Sequence, residues 1–234
     1  MKVVHEHPLP SFFAAAYAIS WVFWLPAVAA SVGWIPSVPS ALLHFAGGLG
    51  PLSSAILVTR MTGDRAALTR LRRRLFQGGS WVGTAILIPA VLFVLSTLVV
   101  IGIYREPIAW RFVGASAELS TLPRPLYWLA NVICYGYGEE VGWRGFALPR
   151  LQARMPALRA SLVLTVGWAG WHLPLFAFSE GLSNLGLAGA AGWLLSLALG
   201  SILVHYVAGL ALRAERDGSA AHDRSRWACS RCWQ

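Results

Sequence analysis

The chain has 234 residues, 56% of them hydrophobic and only 12% charged, with twelve tryptophans. Soluble domains carry about 25% charged residues, so the composition excludes an ordinary soluble enzyme and predicts an all-α, polytopic membrane bundle. The formal net charge of +9 is carried by basic residues lying between apolar runs, which argues for membrane topology and against nucleic acid as a partner.

The length accommodates about six transmembrane helices of about 20 residues each. Residues 11–30 form a first apolar run behind a short head containing Lys2. Ala-Val-Ala-Ala-Ser within it resembles a signal cleavage site, but the run is longer than a signal peptide's apolar core, and it reads as an uncleaved span. A second span is expected from about Leu42 to Thr59, containing Gly47-Gly48-Leu49-Gly50-Pro51. Its small residues permit close helix approach, and Pro51 should kink or break it. His44, near its start, reads as an interfacial or helix-bonded histidine.

Arg60, Arg65, Arg70, Arg72, Arg73 and Arg74 follow, opposed only by Asp64. This segment reads as a cytoplasmic loop with an amphipathic surface helix. A third span is expected over about Trp81–Tyr104 and a fourth from about Pro125, carrying Asn131, Cys134, Tyr135 and a glutamate pair at its cytoplasmic end. Arg144, Arg150, Arg154 and Arg159 make a second basic connection. The fifth span, about Ser161–Phe178, carries Trp168 and His172, with a kink at Pro174. The sixth, about Leu187–Leu212, holds His205. Six spans place both termini and all three arginine-rich segments on the cytoplasmic side of an inner membrane. Residues 1–212 read as one transmembrane domain and 213–234 as a polar basic tail, where the lone Cys229-x-x-Cys232 makes neither a disulfide framework nor a paired metal motif.

The chemistry concentrates in Gly138-Glu139-Glu140-Val141-Gly142-Trp143-Arg144. Burying carboxylates beside an apolar run is costly unless something compensates. Glu140 and Arg144 are four residues apart on one helical face and can form an ion pair. Glu139 is turned about 100° away and has Trp143 at i+4, so it needs a partner from another element. His172 is the candidate, and a glutamate–histidine pair can activate a water molecule as nucleophile. Glu140 and Arg144 read mainly as supporting residues that orient Glu139. The bland alternative is that the three ionisable groups only hold two helices in register.

Glu139-Glu140-x-x-x-Arg144 followed by aromatic-x-x-x-His172 resembles the first two motifs of the CPBP family of intramembrane proteases, over roughly residues 120–204. That family includes the type II CAAX prenyl endopeptidases and bacteriocin-processing or self-immunity proteins. The resemblance implies hydrolysis of a peptide bond in a membrane-associated or lipidated substrate, with Glu139 and His172 activating water. A later His-x-x-x-Asn or His-x-x-x-Asp motif would stabilise the oxyanion, a contribution often worth about 3–4 kcal/mol. Trp168 stands where the family has phenylalanine, a mild change in an aromatic packing position. The third motif is missing, since His205-Tyr-Val-Ala-Gly209 ends in glycine and lies early, leaving His205 a weak supporting candidate.

No cofactor is expected. Zinc is the alternative, held by Glu139, His172 and His205, although a His-Glu-x-x-His helix is absent. Two other functions fit the ionisable pair: a non-proteolytic membrane adaptor or immunity protein that keeps the fold, and a small transporter using Glu139 and His172 as a proton relay. Beyond Val204 the apolar pattern decays, which reads as a frameshift near codon 205 or a natural truncation.

Overall fold

A computed structural model describes residues 2–63 and 123–203, with positions 69, 94, 95, 97, 98, 101–103 and 105 between them. The third expected span, most of the first arginine-rich loop, His205, the expected frameshift and the basic tail lie outside the described residues. Among the described residues the fold is helical, with no strand.

Three helical stretches are long and apolar enough to cross a membrane: Pro8–Ser31, Ser40–Met61 and Gly186–Leu203. They coincide with the first and second expected spans and with the part of the sixth that lies within the described residues. Helix α1 (Lys2–Glu6) leads into α2 (Pro8–Ser31). The second span is broken, as its Gly-Pro content predicts, into α3 (Ser40–Gly48) and α4 (Gly50–Met61) with Leu49 between them. Pro51 sits in the first turn of α4, where its missing N–H removes no helical bond.

The fourth helical run, α5, covers residues 124–152 and is not uniform. Arg124–Asn131 is α-helical, Val132–Tyr137 π-helical, Gly138–Glu140 α-helical, Val141–Ala147 π-helical and Leu148–Gln152 α-helical. The glutamate pair thus occupies one α-turn between two widened segments, an irregularity that recurs at functional sites. Helix α6 (Ala157–Trp171) follows, then the short α7 (Leu175–Phe178) and α8 (Glu180–Ser183), and then α9 (Gly186–Leu203). The fifth span is therefore shorter than the sequence suggests. It stops at Trp171 instead of running to Phe178 with a kink, because Pro174 lacks an N–H and its ring would clash with the carbonyl four residues back.

The core sits where α2, α4, α5 and α6 meet. Phe12, Ala16, Trp24, Ala55, Val58, Trp143, Phe146, Leu164 and Trp171 are buried together. The small residues of the second span make this possible. A Cβ added at Gly142 would lie 2.4 Å from the Pro51 Cβ and 2.6 Å from its carbonyl oxygen, and one at Gly138 would lie 2.7 Å from the Gly48 carbonyl oxygen. Gly138-x-x-x-Gly142 is thus the surface on which α5 crosses α3 and α4, backbone nearly on backbone. Hydrogen bonds tie α6, α2 and α3 together beside it. The Trp171 indole donates to Ser20 Oγ at 2.7 Å, and Ser20 Oγ donates to the Gly47 carbonyl at 2.7 Å. By contrast, α9 leaves Leu187, Leu194, Leu195 and Leu199 exposed, as suits a helix with a face toward lipid.

Candidate active site

The crossing of α5 and α6 sets the site. Glycines 138 and 142 draw α5 against the second span, so Glu139 turns inward and is only 7% exposed. Glu140, one position on, is 46% exposed. The helical period that places these neighbours on different faces thus gives one carboxylate to the interior and the other to the periphery.

Glu140 meets Arg144 as its spacing predicts, with Nη1 donating to Oε1 at 2.6 Å. The Arg144 side chain is only 12% exposed. Its guanidinium carbon lies 4.2 Å from the centroid of the Trp168 ring, and its Nη2 makes a long 3.5 Å contact with Ser201 Oγ on α9. Its Nε finds no hydrogen-bond partner among the described residues.

Glu139 has a partner the sequence reading did not assign. The Trp168 indole N–H donates to Glu139 Oε2 at 2.7 Å, a charge-assisted bond of the stronger kind when the carboxylate is ionised. His172 is the residue that ends α6, one turn beyond Trp168, and its own N–H caps back onto the Ala169 carbonyl. Its Nδ1 lies 2.8 Å from the Trp168 carbonyl oxygen. A carbonyl can only accept, so the proton sits on Nδ1 and Nε2 carries the lone pair. Nε2 has no protein partner among the described residues.

Glu139 and His172 both line one cavity of about 260 Å³. Its walls are mainly aromatic and aliphatic, with Trp24, Trp171, Trp193, Leu175 and Leu182 among them. The structure therefore brings together the two residues that the sequence pairs. It adds His44, read from sequence as an interfacial or helix-bonded histidine, and Tyr135, read only as part of the fourth span; both line the cavity, with ring centroids 5.2 Å apart. His44 comes from α3, and only the fold reveals that this end of the second span faces the fifth. Ser179, nearly buried, completes the polar lining.

Among the described residues no three His, Cys, Asp or Glu side chains converge closely enough to hold an ion. His44, Glu139 and His172 share the cavity without forming such a group. The third zinc ligand considered from sequence, His205, lies outside the described residues.

With this geometry in place, the comparisons with known proteins fall on the same residues. Residues 121–210 match the family described as type II CAAX prenyl endopeptidase Rce1-like. The chain is also 24% identical over 169 residues to a curated protein from Methanococcus maripaludis named CAAX prenyl protease 2, covering 70% of this chain and 61% of that protein. The chain thus spans about three-fifths of the length of the relative it matches. The matched segment 121–210 contains both Glu139-Glu140-x-x-x-Arg144 and Trp168-x-x-x-His172, so the similarity to that family falls on the candidate site itself.

Proposed function

We propose that this chain is an intramembrane endopeptidase that hydrolyses a peptide bond in a membrane-associated or lipidated peptide. The observation that carries this reading is the shared cavity: a buried carboxylate and an imidazole with its lone pair on Nε2 face one space large enough for water and a peptide group. In this scheme, water held between Glu139 and His172 loses a proton to one of them as its oxygen attacks the carbonyl carbon. The tetrahedral intermediate then expels the amine, which receives that proton. The oxyanion needs a donor. Besides the tryptophans, His44, Tyr135 and Ser179 are the cavity residues that could supply an N–H or O–H. The apolar walls keep the reacting groups in a weakly hydrated setting, where electrostatic interactions are stronger.

Glu139→Gln should lower cleavage of a membrane-presented peptide library by about 10²–10⁴-fold, the usual contribution of a general base, and leave the helical content of the purified protein unchanged. Cleavage at the wild-type rate in Glu139→Gln would rule out this assignment. We further propose that the first arginine-rich loop faces the cytoplasm of an inner-membrane protein, with both termini on the same side, because positive residues are retained there. A single cysteine beside Arg60 that reacts with an impermeant reagent from the periplasm would reverse that topology.

A further inference from the structure

We infer that Trp168 is a positioning residue that fixes both reacting groups from a single point on α6, Glu139 through its side chain and His172 through its main chain. This inference rests on the hydrolytic reading above and concerns how the same site is held. From sequence, position 168 is a place for an aromatic ring to pack. The structure gives that ring three separate contacts. Its N–H holds Glu139 Oε2 at 2.7 Å, its face carries the Arg144 guanidinium at 4.2 Å, and its residue's carbonyl holds His172 Nδ1 at 2.8 Å.

The three contacts have separate consequences. The carbonyl contact needs only the backbone, so any residue at 168 preserves the His172 tautomer as long as α6 is intact. The indole N–H is specific to tryptophan, since phenylalanine has no donor to offer. With Oε2 occupied by the indole, Oε1 is the oxygen left for water, because it has no other protein partner among the described residues. Without the indole, the carboxylate can rotate and present either oxygen. The stacked guanidinium links this bond to the Glu140–Arg144 pair. The pair does not line the cavity; it acts on Glu139 through space as neighbouring charge, and its contact with that carboxylate runs through the ring it lies against. Arg144 itself makes no hydrogen bond to Glu139.

The bond is tested directly with the full chain in detergent micelles, its tryptophan indoles labelled with ¹⁵N. The indole resonance that disappears in Trp168→Phe should be the one that moves most in Glu139→Gln. Failure of that resonance to move would overturn the proposal. Trp168→Phe should lower kcat by about 10- to 100-fold, the range for losing a hydrogen bond to a charged group that also aims it, with KM changed less than threefold. Benzothienylalanine at position 168, which replaces the N–H by sulfur and keeps the ring, should reproduce the loss without opening a void. A wild-type rate in that variant would also overturn the proposal. Arg144→Lys should lower kcat in the native background and change it little in the Trp168→Phe background. Equal losses in the two backgrounds would contradict transmission through the ring. A wild-type chain that cleaves nothing while the indole resonance still moves in Glu139→Gln would defeat the hydrolytic reading and uphold the positioning contact.

Discussion

The segment Gly138–Arg144 and the helix Gly186–Leu203 are both helical, yet they are opposites in the folded chain. The first lies against Gly48 and Pro51 with almost no side-chain volume between the backbones. The second presents leucines outward along most of its length. Hydrophobicity by itself does not decide which helix packs inward, since lipid is as good a solvent for leucine as another helix is. What their glycines meet does separate them. Glycine on α5 admits van der Waals contact between backbones, and that contact is what carries Glu139 into the interior. By comparison, a Cβ at Gly192 on α9 would meet nothing within 4 Å.

The comparison can be broken most forcefully at Gly142. Gly142→Ala places a methyl 2.4 Å from Pro51, and the displaced atoms are ring and backbone atoms with little freedom to move. Overpacking of this kind costs about 1–3 kcal/mol, sometimes more. Gly192→Ala, in open space, should instead leave stability unchanged or raise it by about 0.5–1 kcal/mol through better helix propensity. Unfolding in mixed micelles monitored by tryptophan fluorescence measures both. Equal destabilisation by the two alanines would mean that the glycines of α5 are not a packing surface.

That contrast also explains what could be read in the sequence. Spans are legible because crossing a bilayer imposes a length and a hydropathy on each segment separately. The Glu140–Arg144 pair is legible because helical spacing is a local property. The proximity of Glu139 and His172 followed from the need of an inward carboxylate for a partner, helped by the motif resemblance. Three features were not legible, each for a reason of its own. His172 ends its helix instead of lying within it, a consequence of Pro174 that a kink at that proline only approximates. His44 faces the cavity because α3 packs beside α5, and no periodicity within α3 encodes that. The donor role of Trp168 depends on the rotation of α6 relative to α5, whereas the sequence shows only an aromatic residue one turn before a histidine. Gly138-x-x-x-Gly142 did offer a signal, small residues at helical spacing, which the adjacent charges overshadowed.

The smallest expected effect sharpens the contrast between the two adjacent glutamates. Sequence reasoning suggests that loss of Glu140 would leave Arg144 buried and unpaired, a penalty of about 3–5 kcal/mol for a fully buried pair. The structure makes the pair asymmetric: Arg144 is 12% exposed and Glu140 46%. A half-exposed carboxylate contributes far less than a buried one, since solvent screens its charge. In Glu140→Gln the amide oxygen can still accept the Nη1 hydrogen bond, and the Trp168 face still supports the guanidinium. The loss should therefore be about 1 kcal/mol, the order expected of exposed ion pairs, and hydrolysis should stay within about threefold of wild type. Glu140→Ala removes the acceptor as well, leaving a mostly buried donor unsatisfied, and should cost about 1–3 kcal/mol. Denaturant titration of the two variants beside wild type resolves these values. A loss above about 3 kcal/mol in Glu140→Gln would show that the pair is desolvated in the bilayer, so that both carboxylates belong to the interior and the division of labour between them fails.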